Sequence, residues 1–320
     1  MKKELVSIVI PVFNQAEFIV DTVESAVGQS YENIQVIVID DGSTDDSAAR
    51  VKAKFGDEIV LISQSNNGPS AAINAGMRAA EGEYIAFLGG DDIATPDRVQ
   101  HQVEILEETR HDIIFSKPHL IDSFGERLRD EDFPIFYDPG QKEHSIFQRL
   151  LLQGNFICAS SAMMRGAIVP RMGYFHPGLI QLQDFEYWLR ACARGYSLAV
   201  FDYRIVEYRR HFSNLSSGRR DFAMLAELPL VIRKTLDGAD PAVLRKEFPQ
   251  VFRPALDSGS PVSQFEKSAL LLSHPKEEVR AAGLSLAMQL YEDDIFMAEA
   301  ASRGLNLFRM LYNAGETRLD

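Results

Sequence analysis

Residues 36–47 read VIVIDDGSTDDS, and this stretch decides the fold. Its first part is an unbroken β-branched run, which is typical of a strand covered on both faces, and the rest consists of acids and turn residues. The same order returns at residues 84–96, YIAFLGGDDIATP, where Asp91 and Asp92 follow an apolar run and a proline then opens a helix. The chain therefore uses a strand, an acidic turn and a helix at least twice.

Outward from these two stretches, residues 1–116 alternate between strand and helix patterns. Apolar β-branched runs predict strands, and apolar residues spaced three and four apart predict helices. The predicted strands are residues 6–13, 34–39, 59–62, 84–88 and 113–116. The predicted helices are residues 16–27, a segment ending near 55, residues 70–80 and a segment opening at Pro96. Such alternation with short connections predicts a parallel sheet with helices on both faces.

Two acidic pairs follow predicted strands, Asp40 with Asp41 and Asp91 with Asp92. In open sheets of this kind the ligand binds beyond the carboxyl ends of the strands. We therefore expect both pairs to face one crevice, although they are far apart in the chain.

The rest of the chain has fewer regular signals. A helix is predicted over residues 182–194 and a strand over 199–208, and the pattern is helical from residue 222 onward. Residues 279–308 have the amphipathic spacing of a helix. We expect the C-terminal helices to pack against the rest of the chain, and oligomerisation or partner binding through them stays open.

The charge of the chain excludes one class of function. Its 320 residues include 33 Lys and Arg against 46 Asp and Glu, a formal net charge of −13. Nucleic-acid affinity comes largely from cations that neutralise phosphates, so we do not expect this chain to bind nucleic acid. Hydrophobic residues make up 46%, which is enough to form a core and excludes disorder of the whole chain.

Cysteine content and hydropathy predict the location. The chain has two cysteines, Cys158 and Cys192, which are too few to stabilise a fold of this size through disulfides. They are predicted to be buried thiols in a reducing compartment. No apolar run approaches the roughly 20 residues that cross a bilayer. The apolar start reads as a strand rather than a signal peptide, because Pro11 and Asn14 interrupt it. The sequence thus predicts a cytoplasmic location, with contact to the inner face of the membrane left open.

The expected crevice lacks the signatures of two common nucleotide sites. Residues 11–15, PVFNQ, contain no Gly-x-Gly-x-x-Gly fingerprint, and the chain has no Gly-Lys-Ser/Thr phosphate loop. An acidic crevice binds phosphates through Mg²⁺ or Mn²⁺, which takes one or two carboxylates together with phosphate oxygens. Asp91 and Asp92 suit that role. Asp41 suits a hydrogen bond from the imide N–H of a pyrimidine base.

Six segments, taken together, carry a family resemblance. They are VSIVIPVFN (6–14), VIVIDDGSTDDS (36–47), NNGPSAAINAG (66–76), AEGEYIAFLGGDD (80–92), LQDFEYWLRACARG (182–195) and YRRHFSNLS (208–216). Each segment alone is a weak signal. In this order, over residues 5–217, they resemble the family-two inverting glycosyltransferases of the GT-A fold.

The resemblance implies an α/β fold, in which the Rossmann-like mixed sheet of GT-A transferases is flanked by helices. It implies a GT-A domain over residues 1–217, with a nucleotide-binding half at about 1–116 and an acceptor half at about 117–217. Residues 218–320 would then form a helical C-terminal region.

The resemblance also implies an activity. A sugar would pass from a nucleoside diphosphate donor, a UDP- or dTDP-sugar, to an acceptor hydroxyl with inversion at the anomeric carbon. The implied cofactor is Mg²⁺ or Mn²⁺, and the implied acceptors belong to surface polysaccharide, lipid-linked or protein glycan assembly. The alternative is a non-catalytic nucleotide-sugar-binding protein with a degenerate GT-A fold.

The site residues that the resemblance implies group around the donor. Those implied to border or bind the nucleotide are Pro11, Val12, Phe13, Asn14, Asp41, Asn67, Gly68 and Asp91. Asp91 and His211 are implied to hold the metal, and Arg209 and Arg210 to contact phosphates. Asp184 is implied to be the catalytic base that takes the proton of the acceptor hydroxyl.

Two positions depart from the usual family pattern and motivate the non-catalytic alternative. Gly89 stands in place of the first acid of the Asp-x-Asp motif, and Gln183 stands in place of a Glu before Asp184. Metal binding is therefore expected to be weaker or more dependent on the donor phosphates. Asp184 is left as the only candidate base of its pair, since Glu186 is expected to be a solvated helix residue.

Overall fold

A computed structural model describes residues 3–137, 144–215, 221–252 and 260–303. Its contacts divide the chain into two compact units. Unit 1 comprises Met1–Pro139, Phe156–Tyr187 and Tyr196–Arg219, and unit 2 comprises Gly140–Asn155, Trp188–Gly195 and Arg220–Asp320. Residues 140–155 and 188–195 thus group with the C-terminal residues, and the domain boundary near residue 217 stays a prediction.

Unit 1 is built on two sheets. Its strands are β1 (Val6–Val12), β2 (Ile34–Asp40), β3 (Val60–Ser63), β4 (Tyr84–Phe87), β5 (Ile93–Ala94), β6 (Ile113–Ser116), β7 (His119–Ile121), β8 (Met163–Arg165), β9 (Leu198–Phe201) and β10 (Val206–Arg209). The large sheet has the order β3-β2-β1-β4-β8-β6-β9, and the small sheet has the order β5-β10-β7. Pairing is parallel from β3 through β4, whereas β8 runs antiparallel to β4 and β6. The mixed sheet matches the GT-A expectation. The five strands predicted within residues 1–116 all run in one direction, and β8, which lies outside that stretch, is the antiparallel strand between β4 and β6.

Helices supply the rest of the described structure. They are α1 (Ile19–Val27), α2 (Ser47–Phe55), α3 (Pro69–Ala79), α4 (Arg98–Glu108), α5 (Ile146–Gln153), α6 (Val169–Met172), α7 (Gln183–Ala193), α8 (Asp221–Asp237), α9 (Pro241–Glu247), α10 (Gln264–Leu272), α11 (Glu277–Gln289) and α12 (Asp294–Ser302). Within the described ranges, every one of them is too short or too polar to span a bilayer.

The central strand β1 is apolar because helices cover both of its faces. Alternate side chains of a strand point to opposite faces. Ile8 and Ile10 belong to the core cluster that also contains Ile19 of α1. Val9 lies on the other face, where a Cβ added at Gly76 of α3 would overlap it. Gly76 therefore lets α3 lie close to the sheet.

Two differences from the predicted strands have local causes. β8 has only three residues, too few for an alternating pattern to stand out in the sequence. The strand predicted over residues 199–208 is two strands, because the chain turns at the exposed Asp202 and Tyr203. β9 then pairs with β6 in the large sheet, and β10 pairs with β5 and β7 in the small sheet.

Unit 2 is helical in its described parts, as predicted from residue 222 onward. α10 and α11 approach closely at Gly283, where an added Cβ would lie 2.7 Å from the Cβ of Leu271. The amphipathic segment predicted over residues 279–308 breaks after α11. Asp293 caps α12, since its carboxylate accepts a hydrogen bond from the N–H of Phe296 at 2.8 Å. The end of the predicted segment lies outside the described residues.

Both cysteines are free and buried, as predicted. Burial raises the pKa of the Cys192 thiol to about 12 and raises the pKa of the Cys158 thiol even further. Thiols that stay protonated at neutral pH are poor nucleophiles. The two residues therefore contribute to packing.

His274 is a buried histidine of unit 2 that uses both ring nitrogens. Nε2 lies 2.7 Å from the carbonyl oxygen of Leu151, and Nδ1 accepts a hydrogen bond from the N–H of Lys276 at 3.0 Å. Because a carbonyl oxygen can only accept, the proton sits on Nε2 and the ring is neutral. Burial lowers the pKa of His274 below its ordinary value of 6.5.

We expect His274 to make unit 2 sensitive to acid. As the pH falls through 6.5 the unfolded chain binds a proton at this histidine, whereas the folded chain stays neutral there until a lower pH. The contribution of His274 to the free energy of unfolding is therefore at its maximum above pH 6.5. It decreases as the pH drops toward the pKa of His274 in the folded chain.

Urea unfolding at neutral pH and at mildly acidic pH measures this dependence. Trp188, the only tryptophan of the chain, belongs to unit 2 and provides the fluorescence signal. His274→Gln keeps a donor for Leu151 but does not titrate, so its stability should fall less on acidification than that of the native chain. An equal fall in both proteins would contradict the role assigned to His274.

Candidate active site

The acidic turns lie at one edge of the large sheet of unit 1. β1 is the neighbour of both β2 and β4, and all three run parallel. Val12 pairs with Asp40, and Val9 pairs with Phe87, so the carboxyl ends of the three strands are at the same edge. The two acidic pairs therefore follow β2 and β4, which lie on either side of β1.

The Gly-Gly turn after β4 packs directly on the end of β1. A Cβ at Gly90 would lie 2.9 Å from the carbonyl oxygen of Pro11 and would overlap the Gln15 side chain. Only glycine allows this approach. At Gly89 a Cβ would lie 2.9 Å from carboxylate oxygens of both Asp91 and Asp92. The usual acid at this position would therefore crowd the two acids that remain.

The end of β1 is tied to the turn after β2 through Asn14. Asn14 has a left-handed backbone, with φ 52°, which asparagine tolerates better than most residues. Its N–H donates to the Ser43 hydroxyl at 2.9 Å, and its Oδ1 accepts from the N–H of Thr44 at 2.7 Å. The preceding Phe13 directly follows β1 and is 44% exposed.

Asp41 organises the loop between β3 and α3. Its Oδ1 accepts hydrogen bonds from Nε2 of Gln64 at 2.7 Å and from the N–H of Asn67 at 3.0 Å. Its Oδ2 accepts from the N–H of Gly68 at 2.9 Å. The predicted nucleotide residues Asp41, Asn67 and Gly68 are thus brought together, with Asn67 and Gly68 contributing backbone donors.

Asp91 lies in a cluster with two residues from the segment after β10. Its Oδ2 lies 2.8 Å from Nε2 of His211 and accepts a hydrogen bond from Nδ2 of Asn214 at 3.1 Å. Within the described residues its Oδ1 accepts no hydrogen bond. The structure therefore brings together Asp91 and His211, the two predicted metal ligands, although they are distant in the sequence.

The imidazole of His211 is held from two further sides. Nδ1 lies 2.7 Å from the Ser213 hydroxyl, and the ring centre lies 4.9 Å from that of Phe18. Because the carboxylate of Asp91 can only accept, Nε2 carries the proton in this arrangement, and Nδ1 is hydrogen-bonded to the Ser213 hydroxyl. These contacts fix the direction in which Nε2 points.

Asp92 is fully buried and serves as a structural link. Its Oδ1 accepts a hydrogen bond from the N–H of Arg209 at 2.8 Å, and its other oxygen is hydrogen-bonded to the Ser160 hydroxyl. Burial, followed by the nearby charge of Asp91, raises the pKa of Asp92 well above its ordinary value. Since both of its oxygens are engaged inside the protein, Asp91 is the acid of this pair that is left for a ligand.

The two predicted phosphate-binding arginines differ in environment. Arg209 is buried, and its guanidinium donates to the carbonyl oxygens of Asp91 at 2.8 Å and Asp122 at 3.1 Å. Arg210 lies with its guanidinium carbon 4.1 Å from the ring centre of Phe133. Its Nη1 is buried and has no hydrogen-bond partner among the described residues. Arg209 thus fixes the acidic turn, and Arg210 has donor capacity left for an anion.

Asp184 lies in the first turn of α7, half-buried. Its Oδ1 accepts a hydrogen bond from the N–H of Phe185 at 2.8 Å. Just before the helix, Gln181 donates to the carbonyl oxygen of Leu215 at 3.3 Å, and Leu215 directly follows Asn214. The start of α7 therefore lies beside the segment that contacts Asp91.

The residues of α7 next to Asp184 are more buried than those of a surface helix. Glu186 is 8% exposed, so the prediction of a solvated residue is wrong. Phe185 and Tyr187 on either side of it are buried as well, which means that this helix is covered on more than one face. Gln183 is also buried, and its Oε1 accepts no hydrogen bond from the described residues.

Sequence reasoning missed three residues that contact the predicted site. Asn214 bonds to Asp91, Ser160 bonds to Asp92, and Gln64 bonds to Asp41. Asn214 lies within the segment YRRHFSNLS, three residues after His211, so its position in that motif could have identified it. Ser160 and Gln64 have no local signal, because only the fold brings them to the acids.

Asp91 and His211 form a pair that suits a divalent cation. Among the described residues, no group of three or more His, Cys, Asp and Glu side chains could hold a metal ion. Metal sites that share the ion with substrate phosphates need only one or two protein carboxylates. One carboxylate with an unused oxygen, beside an imidazole held in place by Ser213, fits a site of that shared type.

A mixed α/β sheet with acids at the ends of its central strands is the architecture of nucleotide-sugar transferases of the GT-A fold. The model of glycosyl transferase family 2 matches residues 7–172, which is more than half of the chain. The chain therefore belongs to glycosyl transferase family 2. The match contains both acidic turns, whereas Asp184 and His211 lie beyond its end.

Curated relatives include an uncharacterized glycosyltransferase of Rickettsia conorii, 35% identical over 193 residues, which cover 58% of this chain and 31% of that protein. An Escherichia coli protein named UDP-Glc:alpha-D-GlcNAc-diphosphoundecaprenol beta-1,3-glucosyltransferase is 28% identical over 221 residues, 68% of this chain and 81% of that protein. The chain spans about a third of the length of the Rickettsia relative.

Solved structures show the same fold at low sequence identity. Staphylococcus aureus TarS, residues 1–349 in complex with UDP, has a TM-score of 0.59 at 16% identity, covering 97% of this chain and 86% of that chain. The mannosyltransferase PcManGT of Pyrobaculum calidifontis, in complex with GDP-Man and Mn²⁺, has a TM-score of 0.55 at 14% identity, covering 97% and 84%. These similarities confirm the GT-A fold.

Proposed function

We propose that the chain is an inverting glycosyltransferase that moves a sugar from a nucleoside diphosphate donor to an acceptor hydroxyl. The observation that carries this proposal is the cluster of Asp91, His211 and Asn214 at the carboxyl end of β4 in a family 2 chain. The cluster lies on the same sheet edge as Asp41, where the nucleoside would bind. A donor lying along this edge would reach from Asp41 to Asp91.

The proposed reaction is a single displacement. The acceptor oxygen attacks the anomeric carbon, and its proton passes to the carboxylate of Asp184. The bond between that carbon and the diphosphate oxygen breaks, and the electron pair leaves with the diphosphate. Arg210 can donate from Nη1 to a phosphate oxygen, because this nitrogen has no partner among the described residues.

Asp91 and His211 would hold Mg²⁺ or Mn²⁺ together with the donor phosphates. When bound, such a cation supplies Lewis-acid stabilisation of the leaving diphosphate. For His211 to coordinate through Nε2, its proton must move to Nδ1, and the Ser213 hydroxyl at 2.7 Å can accept a hydrogen bond from Nδ1–H.

The proposed acceptor is a hydroxyl of a growing glycan on a lipid, polysaccharide or protein carrier, and the proposed location is the cytoplasm or the inner face of the membrane. The E. coli relative is named for a diphosphoundecaprenol-linked acceptor, which supports a lipid-linked one here. A non-catalytic sugar-nucleotide binder is the second candidate, because Gly89 and Gln183 replace two acids that the family usually has.

A two-stage experiment tests the proposal. Thermal unfolding is first measured with a panel of nucleotide sugars and Mn²⁺, since a ligand of the native state raises the Tm. The stabilising donor is then incubated with the protein, and release of nucleoside diphosphate is followed with and without EDTA. We expect one donor class to raise the Tm and to release diphosphate only without EDTA.

The same two stages separate the alternatives. Stabilisation without release, even with glycan acceptors added, would favour the non-catalytic binder. Stabilisation by none of the donors would contradict both functions. If nucleoside diphosphate were released equally fast in EDTA, the metal would have no part in the mechanism, and the proposed transferase activity would stand without it.

A further inference from the structure

Donors with different bases bind to proteins of this fold, since one structural neighbour holds UDP and another holds GDP-Man. The hydrogen bonds of Asp41 narrow the choice for this chain. We infer that Gln64 is a specificity-determining residue, which limits Asp41 to one further hydrogen bond and thereby selects a uracil or thymine base over guanine. The inference rests on the proposed function and concerns the same site.

The acceptor capacity of Asp41 is nearly filled within the protein. An ionised carboxylate has two oxygens with about four acceptor positions in total. Oδ1 of Asp41 uses two of them, for Gln64 and for the N–H of Asn67. Oδ2 uses one, for the N–H of Gly68. One position remains, and it is on Oδ2.

The orientation of the Gln64 side chain follows from its partner. A carboxylate only accepts, so the amide group that faces Asp41 at 2.7 Å must be the NH₂ and not the carbonyl oxygen. Gln64 is further fixed by its backbone, whose N–H donates to the carbonyl oxygen of Asp40 at 2.9 Å. The position on Oδ1 that Gln64 fills is therefore occupied before any ligand arrives.

The turn after β2 holds this arrangement from the other side. Gly42 has φ 74°, and a Cβ there would lie 2.7 Å from the backbone N of Asn66 and 3.1 Å from the carbonyl oxygen of Gln64. The turn and the loop are thus in direct backbone contact. Asp41 itself is 4% exposed, and its carboxylate cannot rotate without breaking its bonds to the loop, so a base has to approach the one position left on Oδ2.

The remaining capacity suits one class of base. Uracil and thymine present a single imide N–H between two carbonyl groups, and this one donor needs one position on Oδ2. Guanine presents two adjacent N–H donors, which pair with a carboxylate through both oxygens at once. With Oδ1 filled, guanine would leave one buried donor without a partner, which should lower its affinity by about 5- to 150-fold.

Binding of UDP and GDP, each measured by titration calorimetry with Mn²⁺, tests the inference. We expect the native chain to bind UDP at least about fivefold more tightly than GDP. Gln64→Met keeps the side-chain length but removes the donor, and Gln64→Ala removes both, so either change frees a position on Oδ1. Both variants should bind GDP more tightly, while their affinity for UDP should change less. The ratio of the GDP dissociation constant to the UDP dissociation constant should therefore fall severalfold.

Gln100→Ala is the matched control, because Gln100 also donates to a carboxylate, that of Glu104 at 2.6 Å, but on α4. It should leave the ratio unchanged. Because the ratio compares two ligands on one protein, partial loss of folded protein does not alter it. An unchanged ratio in both Gln64 variants, or native binding of GDP as tight as that of UDP, would overturn the inference while the proposed function stands. Binding of neither nucleotide would overturn both.

Discussion

Replacement of Asp184 by Asn should leave donor binding intact and abolish most of the transfer. A general base contributes roughly 10²–10⁴-fold to such a step, so we expect the rate to fall by about three orders of magnitude. Asn cannot take the proton that the acceptor hydroxyl loses. The measurement is the release of nucleoside diphosphate in the presence of acceptor, beside a titration of donor binding.

The environment of Asp184 makes this substitution a clean one. Oδ1 of Asp184 accepts from the N–H of Phe185, and the Oδ1 of an asparagine can accept the same hydrogen bond. Asp184 lies in the first turn of α7, and asparagine is also well tolerated at the start of a helix. Loss of charge, rather than loss of fold, is therefore the main consequence of the change.

Glu186→Gln is the companion variant, since Glu186 is the other acid of the same helical turn and is buried. If Asp184 is the base, the Glu186 variant should retain far more transfer than the Asp184 variant. Near-normal turnover in Asp184→Asn together with a large loss in Glu186→Gln would move the base to Glu186.

Replacement of Asp91 by Ala should weaken donor binding and also lower the transfer rate. The change removes the carboxylate whose Oδ1 is unused. It also removes the hydrogen bonds that His211 and Asn214 both make to Oδ2 of Asp91. Stabilisation of the leaving group by a bound cation is worth several kcal/mol, which corresponds to a loss of roughly 10²–10⁴-fold in rate. The dependence on Mn²⁺ concentration, measured by donor titration and by diphosphate release, should weaken in the same variant.

Asp97→Ala provides the control for Asp91. Asp97 lies six positions later and is exposed, and its Oδ1 accepts a hydrogen bond from the Thr95 hydroxyl at 2.9 Å, outside the cluster of Asp91, His211 and Asn214. It should keep native donor binding and turnover. Metal-independent turnover at the native rate in Asp91→Ala would show that neither the metal nor Asp91 has the role proposed here.

Much of the nucleotide-binding half could be predicted from residue patterns. β1, β2 and β4 are predominantly apolar runs that are followed by acidic turns or by the segment PVFN, and their signals are local. Parallel pairing of neighbouring strands then places their ends at one edge. The prediction that Asp91 and His211 belong to one site rests on a family resemblance. In the structure Nε2 of His211 lies 2.8 Å from Oδ2 of Asp91, so the two residues are in contact.

Other features depended on contacts between distant residues. Nothing near β8 in the sequence signals an antiparallel strand, because its direction depends on β4 and β6 on either side. Glu186 looks like a surface acid on its own helix and is buried by other parts of the chain. Arg209 resembles a phosphate ligand in sequence, yet its guanidinium bonds to backbone carbonyls at Asp91 and Asp122.

The sequence by itself determined β1, β2 and β4, the acidic turns and the family, because apolar runs, glycines and acids act within a few residues of their own position. Only the tertiary structure decided which oxygen of each acid is left for a ligand. Both oxygens of Asp92 accept hydrogen bonds, from Ser160 and Arg209. Asp41 has most of its acceptor positions occupied by bonds to its loop. Asp91 keeps Oδ1 without a hydrogen bond from the described residues. The physical reason is that a carboxylate has few acceptor positions, and the residues that fill them come from distant parts of the chain.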